Sequence, residues 1–179
     1  LSTRQKFVTP RGVLAFSDHL YELDKKFDKN AEKYKGVIKL AKGDEAVDAF
    51  ITKALKIHQD AGGSLDEGPF RDGDKTKSDY DNGCWVFTAK TKQQLWGDRK
   101  QIVDSRRSPI EGRLQSGDVV KFSVTIEACD IAKYKGAVAY LNAVQVLERG
   151  GGANDFDDEE GGYEEDGNSG AASEGARDF

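Results

Sequence analysis

The sequence predicts an all-β fold with one helix, a small antiparallel barrel followed by a disordered acidic tail. Three observations predict it. Short segments alternate apolar and polar residues at period two and are separated by Gly-rich turns. One segment alone, residues 44–61, carries the helical period instead. Charge is divided between two regions: residues 150–179 hold ten acids against the single base Arg177, a net −9, within a chain of net −5. Residues 1–149 therefore carry +4, from 26 Lys and Arg against 22 Asp and Glu.

The elements follow in order. Lys6 to Phe16 reads as a first strand interrupted at Pro10-Arg11-Gly12, because proline removes a ladder donor. Ser17 to Asn30 is charged and irregular, a loop carrying Tyr21 and Phe27. Lys33 to Ala41 is a second strand with Tyr34, Val37, Ile38 and Leu40, in which Gly36 suits a bulge. From Asp44 to Ala61, Val47, Phe50, Ile51, Ala54, Leu55 and His58 share one helical face. Asp44 is the expected cap and Gly62-Gly63 the stop. His58 lies on the edge of the apolar face and reads as a packing residue.

Ser64 to Asp79 is a long Gly- and Asp-rich loop. Its acids lack the register and flanking helices of a calcium loop. Tyr80 to Lys92 is a third strand, with Trp85, Phe87 and Ala89 on one face. Leu95 to Asp98 makes a turn, Lys100 to Ser105 a fourth strand, and Gly117-Asp118 another turn. Lys121 to Ala128 alternates strictly, with Phe122, Val124, Ile126 and Ala128 inward. Lys133 to Gly136 is a short turn, and Ala137 to Leu147 a last, more deeply buried strand. Five to six strands and one helix in a body spanning 1–149 match the inventory of an OB-fold barrel. The helix follows the second strand, where the usual OB order places it after the third.

The tail, 150–179, has Gly and Ser spacing and few apolar residues. It cannot bury enough surface to offset the entropy of ordering, so it is expected to be disordered. An acidic tail can serve solubility alone. Attached to a basic body, it suits a protein that binds a polyanion and carries its own competitor.

Cys84, Cys129, His19 and His58 are too few and too scattered for a metal site, and no metal or other cofactor is expected. Both thiols read as reduced, as in a cytoplasmic protein. No apolar run is long enough to span a membrane, and the N-terminal residues lack an apolar signal core. There is no G-x-S-x-G, no Walker-type loop and no Cys-His pairing, so no enzyme is expected. Asp104 and Asp130 fall at strand ends without the converging acids that a metal-dependent nuclease needs.

A binding reading has more support. Sequence-tolerant capture of single strands needs cations along the backbone path and rings on which bases stack. Rings and cations interleave at Tyr34-Lys35, at Trp85, Phe87, Lys90 and Lys92, at Trp96, Arg99 and Lys100, at Arg106-Arg107, and at Tyr134-Lys135. Trp85 and Phe87 fit core packing as well as stacking. Trp96 and Tyr134, among Gly, Asp and Lys, are expected in exposed turns.

Four stretches together resemble the T7-type single-stranded DNA-binding proteins of tailed phages. They are Thr9-Pro10-Arg11-Gly12-Val13; Lys35-Gly36-Val37-Ile38-Lys39 with the helix end Lys56 to Ala61; Ile102-Val103-Asp104-Ser105-Arg106; and Gly150-Gly151-Gly152 leading to Asp155-Phe156 and the close Asp178-Phe179. The resemblance implies an OB-fold with its helix after the second strand. It implies non-specific single-stranded DNA binding in replication, recombination and repair, in the cytoplasm of an infected host. It further implies a homodimer and a tail that contacts the phage DNA polymerase and helicase–primase. The expected partner contacts are Asp155, Phe156, Asp157, Asp158, Glu159, Glu160, Asp178 and Phe179. The alternative is a protein-interaction module, or a DNA mimic acting through the acidic tail.

Overall fold

The computed structural model describes residues 4–23 and 33–150. The expected disorder of the tail, its partner-contact residues and the segment with Phe27 lie outside the described residues. Within them the order is β1 (Arg4–Val8), β2 (Gly12–Ala15), β3 (Tyr34–Ala41), α1 (Glu45–Asp60), β4 (Phe70–Asp72), β5 (Cys84–Thr91), β6 (Ile102–Val103), β7 (Val119–Ile131) and β8 (Tyr134–Glu148).

Pairing runs β7–β2–β3–β5–β8 and returns from β8 to β7, so five strands close a ring. β1 pairs with β7 beyond the end of β2. Together β1 and β2 form the one interrupted strand the sequence predicts. Counted that way, the helix follows the second strand of an OB-like barrel. At the interruption Thr9 is buried; its Oγ1 accepts from the Phe122 N–H at 2.9 Å, and its own N–H donates to the Phe122 carbonyl at 2.8 Å. The ladder thus continues past Pro10, which has no donor to offer.

The pairs are antiparallel except where β5 and β6 meet β8. β7 and β8 form the longest pairing, from Val119–Glu148 to Ile131–Tyr134. Tyr134 therefore belongs to a strand and not to the expected turn, which shrinks to Ala132-Lys133. The 100–105 strand shortens to Ile102–Val103. The 64–79 loop contains a strand the sequence reading missed, β4, which pairs Phe70 with Phe87. Gly36 makes no bulge, because β3 and β5 stay in register from Tyr34–Thr91 to Ala41–Cys84. A Cβ there would come within 2.8 Å of Leu141 and 3.0 Å of the Phe122 ring. Glycine lets three strands pack tightly inside the barrel.

The helix plugs the barrel as its period predicts. Asp44 caps it, its Oδ1 accepting from the Ala46 N–H at 2.9 Å and the Val47 N–H at 3.3 Å. Val47, Phe50, Ile51, Ala54, Ile57 and His58 are buried; Leu55, expected on that face, is only partly so. Phe50 sits edge-on to Phe87, with ring centroids 5.5 Å apart, and Phe70 lies 5.0 Å from Phe87. Burying each such ring is worth roughly 1.5–3 kcal/mol.

His58 joins the helix end to β8. Its Nδ1 accepts from the Ala137 N–H at 2.9 Å, so Nε2 carries the proton and donates to the Ser64 carbonyl at 2.6 Å. A Cβ on Gly63, Gly68 or Gly136 would lie within 2.3, 2.6 or 2.5 Å of the ring. His58→Ala should therefore leave two backbone groups unpaired around a void, costing about 2–4 kcal/mol. A urea unfolding midpoint equal to wild type, followed by circular dichroism, would contradict this role.

Candidate nucleic-acid interface

Period-two strands place every second side chain outside the barrel, so lateral pairing decides which exposed groups meet. On β3 and β5 the inward set is Gly36, Ile38 and Leu40 with Phe87 and Ala89, all buried. The outward set includes Lys35, which lies directly opposite Lys90. Lys90 in turn pairs with Tyr140 on β8, and Tyr140 with Thr125 on β7. Thr125 faces Lys6 on β1. One lateral row across five strands thus reads Lys35, Lys90, Tyr140, Thr125, Lys6. Tyr140 is 41% exposed and is flanked by lysine on the neighbouring strand. Cations beside an accessible ring are what a stacked, phosphate-bearing strand requires.

Two residues further along β3 from this row, Val37 lies opposite Thr88, and beyond it Lys39 lies opposite Val86 and Val86 opposite Arg71. Lys39 Nζ donates to the Tyr80 carbonyl at 3.1 Å and pairs with Asp81 at 3.3 Å. The Tyr80 ring is 88% exposed on that loop. Lys42 is tied more firmly, with Nζ 2.5 Å from Asp72 and 2.6 Å from Asp74. It also lies 5.2 Å from the centre of the Trp85 ring. The hydrogen bonds from Lys42 hold both carboxyls below the ordinary aspartate value, and the same bonds raise the lysine.

The sequence-nominated residues divide in this frame. Lys35 and Lys90 are brought together. Lys92 is exposed just after β5. Phe87 is 0% exposed and Tyr34 7%, so neither ring can serve as a stacking platform. Phe87 points inward because the β3–β5 ladder puts its face toward the helix, and Tyr34 lies at the start of β3, its hydroxyl accepting from Gln94 at 3.4 Å. Trp85 is half-buried against the core. Trp96 is not the free turn ring expected: it is half-buried, 6.1 Å from the Tyr21 ring, over a barrel end that also buries Leu95 and Leu114. Tyr134 is half-buried in β8 and donates to the Ala137 carbonyl at 2.6 Å. Burial pushes its hydroxyl above its ordinary value.

The other cations are dispersed. Arg99 donates to Gln93 at 3.0 Å, and Lys100 occupies a left-handed turn. Arg106 and Arg107 are exposed after β6, and Lys135 lies 3.7 Å from Asp130 near the β7–β8 turn. Tyr140, Tyr80, Lys39 and Arg71 were missed by sequence reasoning. The alternation of buried Ala137, Ala139 and Leu141 is the signal that marks Tyr140 as outward.

The family model of the Enterobacter phage Enc34 single-stranded DNA-binding protein matches residues 8–169. Among solved structures, that bacteriophage protein with its C-terminus truncated superposes at TM-score 0.65, with 17% identity over 86% of this chain and 87% of the other. Its complex with single-stranded DNA gives TM-score 0.63 and 18% identity over 86% and 88% of the two chains. The single-stranded DNA-binding protein gp2.5 of bacteriophage T7 gives TM-score 0.55 and 19% identity over 92% and 100%. At these identities the structures speak to the fold. No curated protein matches the sequence.

The Lys42 clamp yields a pH prediction. Asp72 and Asp74 have lowered values in the folded chain, so the clamp's contribution is complete above the ordinary carboxylate range and is lost as pH falls through the lowered values. The Gly83 N–H donates to Asp74 at 2.7 Å and so reports it. Its amide shift should titrate below the usual aspartate value of about 3.9. Lys42→Ala should move that midpoint upward, and an unmoved midpoint would remove the clamp as its cause. With the barrel, its outward row and the match over residues 8–169 in hand, the chain belongs to the family of the Enterobacter phage Enc34 single-stranded DNA-binding protein.

Proposed function

We propose that this chain is a phage single-stranded DNA-binding protein that coats the strand without reading its sequence. The observation that carries the reading is the row Lys35–Lys90–Tyr140, two lysines and an accessible ring on adjacent strands. A phosphate crossing the row meets both lysines, and a base stacks on Tyr140. Arg71 and Tyr80 extend the path beside β3 and β5, and Lys92 extends it past β5. The relatives are named as single-stranded DNA binders, one of them in complex with its ligand, which supports the same ligand class here.

The finer reading adds replication, recombination and repair in the host cytoplasm, a homodimer, and a disordered acidic tail over 150–179. In it, the tail recruits the phage DNA polymerase and helicase–primase through Asp155 to Glu160, which include Phe156, and through Asp178 and Phe179. In the same reading, the net −9 of residues 150–179 competes with DNA for the cationic row.

Lys35→Ala and Lys90→Ala should each weaken oligo-dT binding and reduce the slope of log K against log salt by about 1. Tyr140→Ala should cost roughly 1–3 kcal/mol of affinity with no change in melting temperature. Fluorescence anisotropy across a salt series measures all three, and an unchanged slope in both lysine variants would remove the row from the interface. Deleting residues 152–179 should tighten binding, most at low salt. Equal affinity with and without the tail at low salt would end the competition reading while leaving the row intact.

A further inference from the structure

Asp72, Asp74, Asp79 and Asp81 crowd into a loop that reaches Lys39 on the outward face of β3. Acids close to a site for a polyanion oppose binding at long range. Three of these acids, however, hold the loop in place. Asp72 Oδ1 accepts from the Asp74 N–H at 3.0 Å and from Lys42 Nζ at 2.5 Å. Asp74 Oδ2 accepts from the same Nζ at 2.6 Å, and its Oδ1 from the Gly83 N–H at 2.7 Å, which joins the two ends of the loop. Asp81 lies 3.3 Å from Lys39 Nζ, and its Oδ2 accepts from Thr76 Oγ1 at 3.3 Å. The Lys39 and Asp81 side chains are each only 21% exposed, so this pin is better shielded than a surface pair.

The pinned segment presents Tyr80. It is the middle residue of a one-turn 3₁₀ helix, Asp79–Asp81, and its carbonyl accepts from Lys39 Nζ at 3.1 Å. Its backbone is thus fixed over β3 while its ring is 88% exposed. Lys39 lies opposite Val86, and Val86 opposite Arg71, so Arg71 shares that outward face. Arg71 is exposed and forms no ion pair among the described residues. Lys35 of the cationic row lies four residues before Lys39 on the same face, about 13 Å away. A ring on a fixed backbone loses less freedom on stacking than one on a loose loop.

We propose that Asp74 and Asp81 are positioning residues for single-strand binding: by pinning this loop they set Tyr80 as a second stacking ring, with Arg71 on the same face for a phosphate. The inference rests on the single-strand reading above and gives its acids a role in binding. They favour a polyanion through the ring they hold and oppose it through their charge. At physiological ionic strength the screening length is about 8 Å, which weakens the repulsion by any one carboxylate. Base–ring stacking is little screened, so the positioning effect wins there.

Oligo-dT binding by the full chain at physiological ionic strength, followed by fluorescence anisotropy, tests this. Tyr80→Ala should weaken binding about 5- to 20-fold and leave the slope of log K against log salt unchanged, since a ring releases no counterions. Tyr80→Phe should recover most of that loss. Asp81→Ala removes an acid and frees Lys39, so charge alone predicts tighter binding. Loss of the pin should instead weaken it about 3- to 10-fold. Asp74→Ala should act in the same direction, and it carries the test if Asp81→Ala does not fold. In a Tyr80→Ala background, Asp81→Ala should no longer weaken binding, which separates positioning of the ring from damage to the fold. Wild-type or tighter binding in both aspartate variants overturns the proposal, as does equal weakening by Asp81→Ala with and without the Tyr80 ring. Wild-type affinity in Tyr80→Ala overturns it too, while the Lys35–Lys90–Tyr140 row still stands. Absence of oligo-dT binding by the wild-type chain defeats the single-strand reading itself, and this proposal with it.

Discussion

The structure depends on closing the barrel between β5 and β8. These strands are distant in sequence and parallel, and a single residue pair, Lys90 with Tyr140, joins them. Without that pairing the β2–β3–β5 sheet would have an open edge, and the β7–β8 hairpin would be joined to the other strands of the ring only through β1 and β2. Closure works because the inward neighbours are small or flexible: Ala89, Ala139 and Leu141 are buried on the inside, and Gly36 leaves room for Leu141 and Phe122. The same pairing sets the outside. Since side chains alternate across a strand, an inward Ala89 and Ala139 require an outward Lys90 and Tyr140. The contact that completes the core therefore also assembles the candidate interface.

The Asp-rich stretch after the helix has a structural role that limits how many cations are available. Asp72 and Asp74 hold Lys42, and Asp81 holds Lys39, so the loop is fastened to β3 and to the residue that follows it. Gly73 allows the loop to close, since a Cβ there would come within 2.0 Å of the Asp81 carbonyl. A lysine committed to two carboxylates is a poor phosphate ligand, because DNA would have to displace both. Counting bases in the sequence thus overstates the interface.

Much of this was legible in the sequence where a local signal and a tertiary demand coincided. Strict alternation located the centre of β7, the apolar residues Tyr34, Val37, Ile38 and Leu40 located β3, and Asp44 with Gly62-Gly63 placed the helix ends within a residue of Glu45 and Asp60. The interruption at Pro10 was visible because proline lacks a donor. What was illegible is pairing. Period two shows that Trp85, Phe87 and Ala89 share a face, but not that this face meets the helix, so Phe87 was nominated for stacking although it is core. Tyr134 and Trp96 looked like turn residues because their neighbours are polar, yet Tyr134 pairs in β8 and Trp96 covers a barrel end. β4 was missed because three residues cannot establish a period. Lys35 and Lys90 were each nominated on local grounds; their meeting is a property of register.

The net charge of the chain is a poor guide to the field at the row, and distance explains why. Lys39, where the acidic loop begins to attach, lies four residues from Lys35 along β3, or about 13 Å. At physiological ionic strength the screening length is about 8 Å, so the loop carboxylates are largely hidden from a phosphate at Lys35 and Lys90. The row then behaves as a local cationic patch, despite a chain that is −5 overall. At low salt the screening length exceeds that separation, and the acids partly cancel the row. The rise in affinity on dilution is therefore blunted, and the apparent salt dependence falls below the value that counting row lysines alone would give. Stacking on Tyr140 is little affected by ionic strength, so its share of the affinity grows as salt rises. A barrel that places its cations and its ring in one row thus keeps a grip on a single strand when electrostatics weaken.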